Sequence, residues 1–450
     1  MGHLTKQDQT QKHSADGEFS SKTPNLHTDI KLGISVNRSQ FSLHLLQIFL
    51  VGLTIGMTRI VIPVLAEAEF GLADNAFFLL ASFVVVFGVV KAVMNLFAGS
   101  LSERYGRKNI LLLGWLIALP IPFILLFAPN WNWIIFSTVL LGFNQGLCWS
   151  MALNSKLDLA KSSQKGLVNG VNEFVGYAAV GLAGLMTAYL VSILGAREGL
   201  FYFSLAVIVL GLMTAKFTII ETLPWAKLHN TQALNLNTNK QQGPLLYSQK
   251  NATTKNLAQL FKYASLENKT LIALNQAGLV EKFTDAIVWI FLPIYFITQG
   301  LTLIESGAII SIYGIVWGST QLITGPLSDK IGRKQLIVWG MWICGAGLLA
   351  IPFTQGVILW SIEAAFIGIG MAMLYPNLGA AVGDEAPTKY RASLIGVYRF
   401  WRDSGYAIGA LIMGLMAQWS QDLMMPFIFV AISMFLSGLL VLLWLPKKLT

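Results

Sequence analysis

Twelve apolar runs recur along this 450-residue chain, each about the 20 residues that a helix needs to cross a bilayer core. They lie near 42–66, 75–98, 109–128, 131–153, 168–193 and 199–219, and then near 271–297, 303–324, 335–353, 356–379, 392–417 and 424–445. A stretch rich in Asn, Gln, Thr and Lys separates the two sets of six and reads as a flexible linker. The pattern predicts an all-α membrane protein of 12 transmembrane helices in two six-helix bundles, residues 41–220 and 271–446. Residues 1–40 read as a disordered cytoplasmic tail, 221–270 as a cytoplasmic linker and 447–450 as a cytoplasmic C-terminus. The tail has five Lys/Arg, four Asp/Glu and no apolar core, so it is not read as a cleavable signal peptide.

Composition narrows the function classes. Charged residues make up 12% of the chain and mean hydropathy is +0.62, where a soluble domain carries about 25% charged residues. The net charge of +9 is dispersed through short loops rather than gathered on one face, which argues against nucleic acid as a partner. With both termini in the cytoplasm, nearly all Lys and Arg fall in the tails, the even-numbered loops and the linker, as the positive-inside rule requires. The exceptions are Arg197 in an outer loop and five bases well inside spans: Arg59, Lys91, Lys282, Arg399 and Arg402. Cys148 and Cys344 both lie within apolar runs, and nothing suggests a disulfide, a metal site or a cofactor.

The second six spans repeat the first. GSLSERYGRK (Gly99–Lys108) returns as GPLSDKIGRK (Gly325–Lys334), 226 residues later. At the same offset Gly52 meets Gly278, Thr58 meets Thr284, Gly142 meets Gly368 and Asp158 meets Asp384; Gly176-Tyr177 matches Gly405-Tyr406 at 229. Parallel six-span repeats about a membrane-normal axis are the build of one large transporter class.

On these residues the chain resembles the major facilitator superfamily across all twelve spans. The loop signature G-x-L-[SA]-[DE]-[RK]-x-G-R-[RK] is met at Gly99, Leu101, Ser102, Glu103, Arg104, Gly106, Arg107 and Lys108, with Glu103 one methylene longer than the usual Asp. The second copy has Gly325, Asp329, Gly332 and Arg333. The resemblance implies a gating latch between the halves. Repeat register adds partners: Arg107 is expected to pair with Asp158, and Arg333 with Asp384.

Ionisable residues inside spans are costly and mark candidate function. Arg59 on span 1 has Asp285 on span 7 as its repeat mate, so two symmetric helices offer opposite charges at equal depth. Glu281 stands one turn from Asp285, and Lys282 reaches it at i, i+3. Either these charges neutralise one another across the bundle, or Arg59 holds a substrate anion while Glu281 or Asp285 carries a proton. On span 11, Arg399, Arg402, Asp403 and Tyr406 form one helical stripe. Span 5 answers with Asn169, Asn172, Glu173 and Tyr177, and Glu173 is the mate of Arg402. Lys91 and Asn95 lie on span 2, with Asn144, Gln145 and Trp149 on span 4; the Trp149–Tyr375 match suggests an aromatic gate. None of the five histidines lies deep in a span, which leaves Glu173, Glu281, Asp285 and Asp403 as proton-coupling candidates. Desolvation favours a protonated carboxyl group and a nearby Arg opposes it, so Glu281, which has no basic repeat mate, ranks first.

The expected function is secondary active transport of a small solute, proton-coupled, across the lipid bilayer. Arginine holds carboxylate or phosphate groups well, which favours an anionic or amphipathic solute, bound by Arg59, Asn144, Asn172, Glu173, Arg399, Arg402 and Tyr406. Export as drug or metabolite antiport is slightly favoured. The alternatives are uptake of an anionic metabolite or siderophore-like chelate, and a non-transporting receptor or scaffold. No Walker, HExxH or GxSxG run appears, so no enzyme is expected. A monomer is expected, in the cytoplasmic (inner) membrane if the source is bacterial.

Overall fold

A computed structural model describes residues 30–70, 72, 76–228, 256–387 and 390–446. Residues 1–29 of the expected tail, the expected C-terminus and much of the linker lie outside these residues. The expected tail is structured over 30–40, where the Gly33 amide donates to the Leu159 carbonyl at 2.8 Å and residues 38–40 already belong to the first helix. Twelve membrane-length helices follow in order: α1 (Arg38–Phe70), α2 (Phe77–Tyr105), α3 (Arg107–Phe127), α4 (Trp131–Leu159), α5 (Lys165–Leu194) and α6 (Ala196–Phe217) form one half. The other half is α7 (Lys269–Thr298), α8 (Leu303–Ile331), α9 (Arg333–Phe353), α10 (Val357–Glu385), α11 (Arg391–Ser420) and α12 (Met424–Trp444).

Ten of these are long and apolar enough to cross a membrane by length and composition alone. The two that are not are α7 and α11, and each has its charges turned inward. Glu281, Lys282 and Asp285 on α7 are fully buried, as is Asp403 on α11. Their low apolarity is therefore no obstacle to spanning, because the charges face protein rather than lipid.

The repeated loop is tighter than its sequence suggests. Most of GSLSERYGRK is the last two turns of α2, and a single residue, Gly106 (φ 89°), joins α2 to α3. Gly332 (φ 97°) does the same between α8 and α9. A side chain is strained at that positive φ, which is why glycine stands at this position in both copies.

Within the stretch expected to be linker, Leu257–Lys262 is helical and a π turn, Tyr263–Glu267, follows it. Asn256 caps this segment by accepting a hydrogen bond from the Gln259 amide. It docks on α11, where Trp401 donates to Ser265 at 2.8 Å. The second half therefore begins before α7.

The halves meet through α2 against α11 and α5 against α8. At the α5–α8 contact two glycines face one another. A Cβ on Gly181 would lie 2.9 Å from the Ser311 carbonyl, and one on Gly314 would lie 2.8 Å from the Gly181 Cα. The Ser311 hydroxyl donates to the Gly181 carbonyl at 2.6 Å across this contact. On the side away from the basic loops, rings close the seam, with Phe77 against Phe291 and both Phe83 and Phe87 against Trp289. A Cβ at Gly99, Gly166, Gly170, Gly325 or Gly396, toward the basic-loop end, would meet nothing within 4 Å, as would one at Gly300 or Gly356 toward the other end. The seam is thus sealed by rings at the end away from the basic loops.

Candidate functional site

The centre of the site is α7. Its run Glu281-Lys282-Phe283-Thr284-Asp285 is wholly within the protein, so every charge there must find a partner inside. Asp285 takes four. Arg59 on α1 donates to both of its oxygens, Nη1 to Oδ1 at 2.5 Å and Nη2 to Oδ2 at 3.0 Å. The Tyr313 hydroxyl on α8 donates to Oδ1 at 3.3 Å, and the Tyr406 hydroxyl on α11 donates to Oδ2. Arg59 also lies over the Trp289 ring, 5.4 Å from its centroid. The fork of a guanidinium onto a carboxylate fixes both groups in one plane. Here it joins the two halves directly.

Next to it, Lys282 pairs with Glu281 at 3.2 Å and lies 3.8 Å from Asp285. Four rings surround its ammonium, those of Tyr375, Trp317, Tyr406 and Tyr177, with centroids at 4.7, 4.9, 5.3 and 5.6 Å. Tyr177 stacks on Trp317 at 3.5 Å and meets Trp149 and Tyr375 edge-on or tilted. Trp149 and Tyr375, matched by the repeat, thus contact a common ring rather than each other. Apart from that ion pair Glu281 has no hydrogen bond to either oxygen among the described residues.

A third cluster lies toward the basic-loop end. Arg402 forks onto its neighbour Asp403, Nε to Oδ1 at 2.9 Å and Nη2 to Oδ2 at 3.0 Å. Asn95 on α2 donates to Asp403 and accepts from Ser150 on α4. Glu173 does not reach Arg402, its repeat mate. It accepts from Asn172 at 2.7 Å and from Trp149 at 3.4 Å instead. An adjacent carboxylate on the same helix lies within reach of the guanidinium whatever the halves do, whereas Glu173 lies across the interface. Arg399 is half-buried and has no ion pair or hydrogen bond among the described residues. Lys91 is buried and rests among the rings of Tyr406, Phe87 and Trp149, at 5.3, 5.5 and 5.7 Å; it does not extend to the membrane surface.

Two expectations need correction. Asn144 does not reach the space between the halves: it is fully buried, donates to the Gly114 carbonyl at 3.1 Å and packs between α3, α4 and α1. Helix α4 changes to a π turn at Gln145–Trp149, which rotates the following residues relative to a regular helix, a shift that spacing alone does not reveal. Nor do the pairs of the repeated loop join the halves, as the expected latch would: Arg107–Asp158 and Arg333–Asp384 each lie within a single half, while Glu103 and Arg104 are exposed, with Arg104 over Tyr105.

The remaining loop residues come together. Arg107 Nε reaches Asp158 at 3.2 Å and the same guanidinium donates to Ser102. Arg333 pairs with Asp384 and donates to Ser328 at 3.1 Å. Both pairs lie within one half. Glu221 closes the first loop by accepting from the amides of Arg107 and Lys108 at 2.9 and 3.1 Å, where the positive end of α3 favours an acid. The side chain of Asp329 lies outside the described residues. At the other end, Arg197 pairs with Glu69.

Tyr313, Trp317 and Trp289 belong to the site but had no place among its expected residues. Repeat register was the available signal, since Tyr313 and Trp317 occupy the positions of Phe87 and Lys91.

Comparison with known proteins accords with this architecture. The family model described as Major Facilitator Superfamily matches residues 45–274 and 274–450. An uncharacterised MFS-type transporter of Methanocaldococcus jannaschii is 30% identical over 138 residues, 31% of this chain and 36% of that protein. The quinolone resistance protein NorA of Staphylococcus aureus is 26% identical over 161 residues, 35% of this chain and 41% of its own. The matches thus span well under half the length of these relatives. The crystal structure of a D-xylose-proton symporter superposes with a TM-score of 0.71 over 92% of this chain and 99% of that one, at 16% identity, which is a likeness of fold.

Proposed function

The chain belongs to the major facilitator superfamily, and from that premise we propose that it is a proton-coupled secondary transporter of a small anionic or amphipathic solute. The observation that carries this reading is the buried Arg59–Asp285 fork between the halves, with Glu281 beside it. Ion pairs this deep contribute little net stability over apolar packing, so their cost is better explained by a working cycle. Around the space between the halves stand five bases, Arg59, Lys91, Lys282, Arg399 and Arg402, and four acids, Glu173, Glu281, Asp285 and Asp403. One positive charge is left over, and protonation of Glu281 leaves two. Arg399 and Lys91, which have no ion pair among the described residues, are the groups free to meet an anion. Arg59 is committed to Asp285 in this conformation.

The cycle follows from the seam. The halves rock about the mid-membrane site, and the basic-loop end is read as the cytoplasmic side, that of the inner membrane if the source is bacterial. Export is the favoured direction, in keeping with similarity to a quinolone resistance protein. The likeness to a proton symporter concerns fold alone. A membrane receptor or scaffold is the second reading. Purified protein in proteoliposomes under an imposed pH gradient tests both. Gradient-driven movement of an anionic solute is the expected result. A failure of every anion and amphipathic drug to move, with a stable complex formed with another membrane protein, would favour the scaffold.

A further inference from the structure

The ammonium of Lys282 is held the way proteins hold free organic cations. Four aromatic rings from α5, α8, α10 and α11 stand 4.7–5.6 Å from it. Carboxylates of Glu281 and Asp285 lie at 3.2 and 3.8 Å, and its Nζ donates to the Tyr177 hydroxyl at 3.5 Å. Ring faces attract cations through their quadrupoles, and boxes of three or four rings recognise quaternary ammonium groups. Tyr177 comes from one half and the other three rings from the other half, so the box exists only where the halves meet. The Trp317 indole N–H in its wall has no hydrogen-bond partner among the described residues.

We propose that this box is a binding site for a small organic cation which the chain fills with its own Lys282, making Lys282 a specificity-determining residue that excludes cationic solutes from the pathway. The inference rests on the reading above that solutes enter the space between the halves. It also gives that reading a reason for anion preference. A tethered ammonium is present at high effective concentration, so a free cation of similar affinity does not displace it. Lys282 also leaves the site one charge more positive than an aromatic, acid-bearing cavity would otherwise be.

The test uses the full-length protein in nanodiscs with tetramethylammonium chloride as the probe. Binding is read by tryptophan fluorescence and by thermal stability, with sodium chloride as the ionic-strength control. Lys282→Ala vacates the box; Glu281→Gln with Lys282→Ala removes both charges of the pair and serves if the single variant fails to fold. The expected result is saturable binding in the variant at least tenfold tighter than in wild type, and lost again on adding Trp317→Ala. Equal responses in wild type and variant, or no response in either, overturn the proposal. Flux is measured separately in proteoliposomes. Binding without flux of any solute leaves the box standing and removes the transport reading; anion flux with no cation binding in the variant does the reverse.

Discussion

Arg59 and Asp285 occupy the same position in the two halves, 226 residues apart, and their side chains meet across the seam with N–O distances of 2.5 and 3.0 Å. A pseudo-symmetric pair of opposite sign can bind itself, which a symmetric pair of like sign cannot. The sign inversion converts two equivalent positions into a lock.

Breaking that lock from one side leaves a charge buried in protein. Asp285→Asn is expected to lower stability by about 3–5 kcal/mol, the usual cost of stranding one member of a buried pair, and to abolish transport. Adding Arg59→Met restores most of the melting temperature without restoring flux. Thermal melts of the single and double variants, with flux on the same samples, check this. A double variant as unstable as the single one would show that the pair is not the source of the loss.

The loop pairs act at the other end. Arg107→Ala removes its bonds to Asp158 and Ser102 and is expected to cut flux at least tenfold with normal membrane insertion. Arg333→Ala does the same through Asp384. Wild-type flux in correctly inserted Arg107→Ala protein would show that the cycle does not need this pair.

Glu281 is the candidate proton carrier, held among the described residues by Lys282 alone. Glu281→Gln keeps the shape and removes the titrating group. Gradient-driven accumulation should disappear while solute exchange across equal pH persists at a comparable rate. Accumulation that continues under a pH gradient would assign the proton elsewhere.

Gly181 sets how closely α5 approaches α8. A side chain there would meet the Ser311 carbonyl and the Ile315 amide at 2.9 and 3.0 Å. Gly181→Val is expected to prop the sealed end open. A cysteine introduced at Ala188, buried on the same helix, should then react with an impermeant maleimide from that side at least tenfold faster than in the Gly181 parent. An unchanged rate would mean that this contact does not close the seam.

The twelve spans, their six-and-six division and the Arg107–Asp158 and Arg333–Asp384 pairings were legible in the chain itself. Helix length against bilayer thickness is a one-dimensional property, and a repeated spacing carries local pairings with it. Even the depth match of Arg59 with Asp285 could be read from the offset. Helix rotation could not. It depends on which small residues touch, as at Gly181 and Gly314, and on the π turn at Gln145–Trp149, which changes the rotation of the residues after it relative to Asn144. Only the packed halves decided that Arg402 takes Asp403 rather than Glu173, and that Arg59 is spent on Asp285. They also decided that rings from both halves close around Lys282. Those choices are made by distances of a few ångströms between helices far apart in sequence, and the amino-acid order holds no record of them until the helices pack.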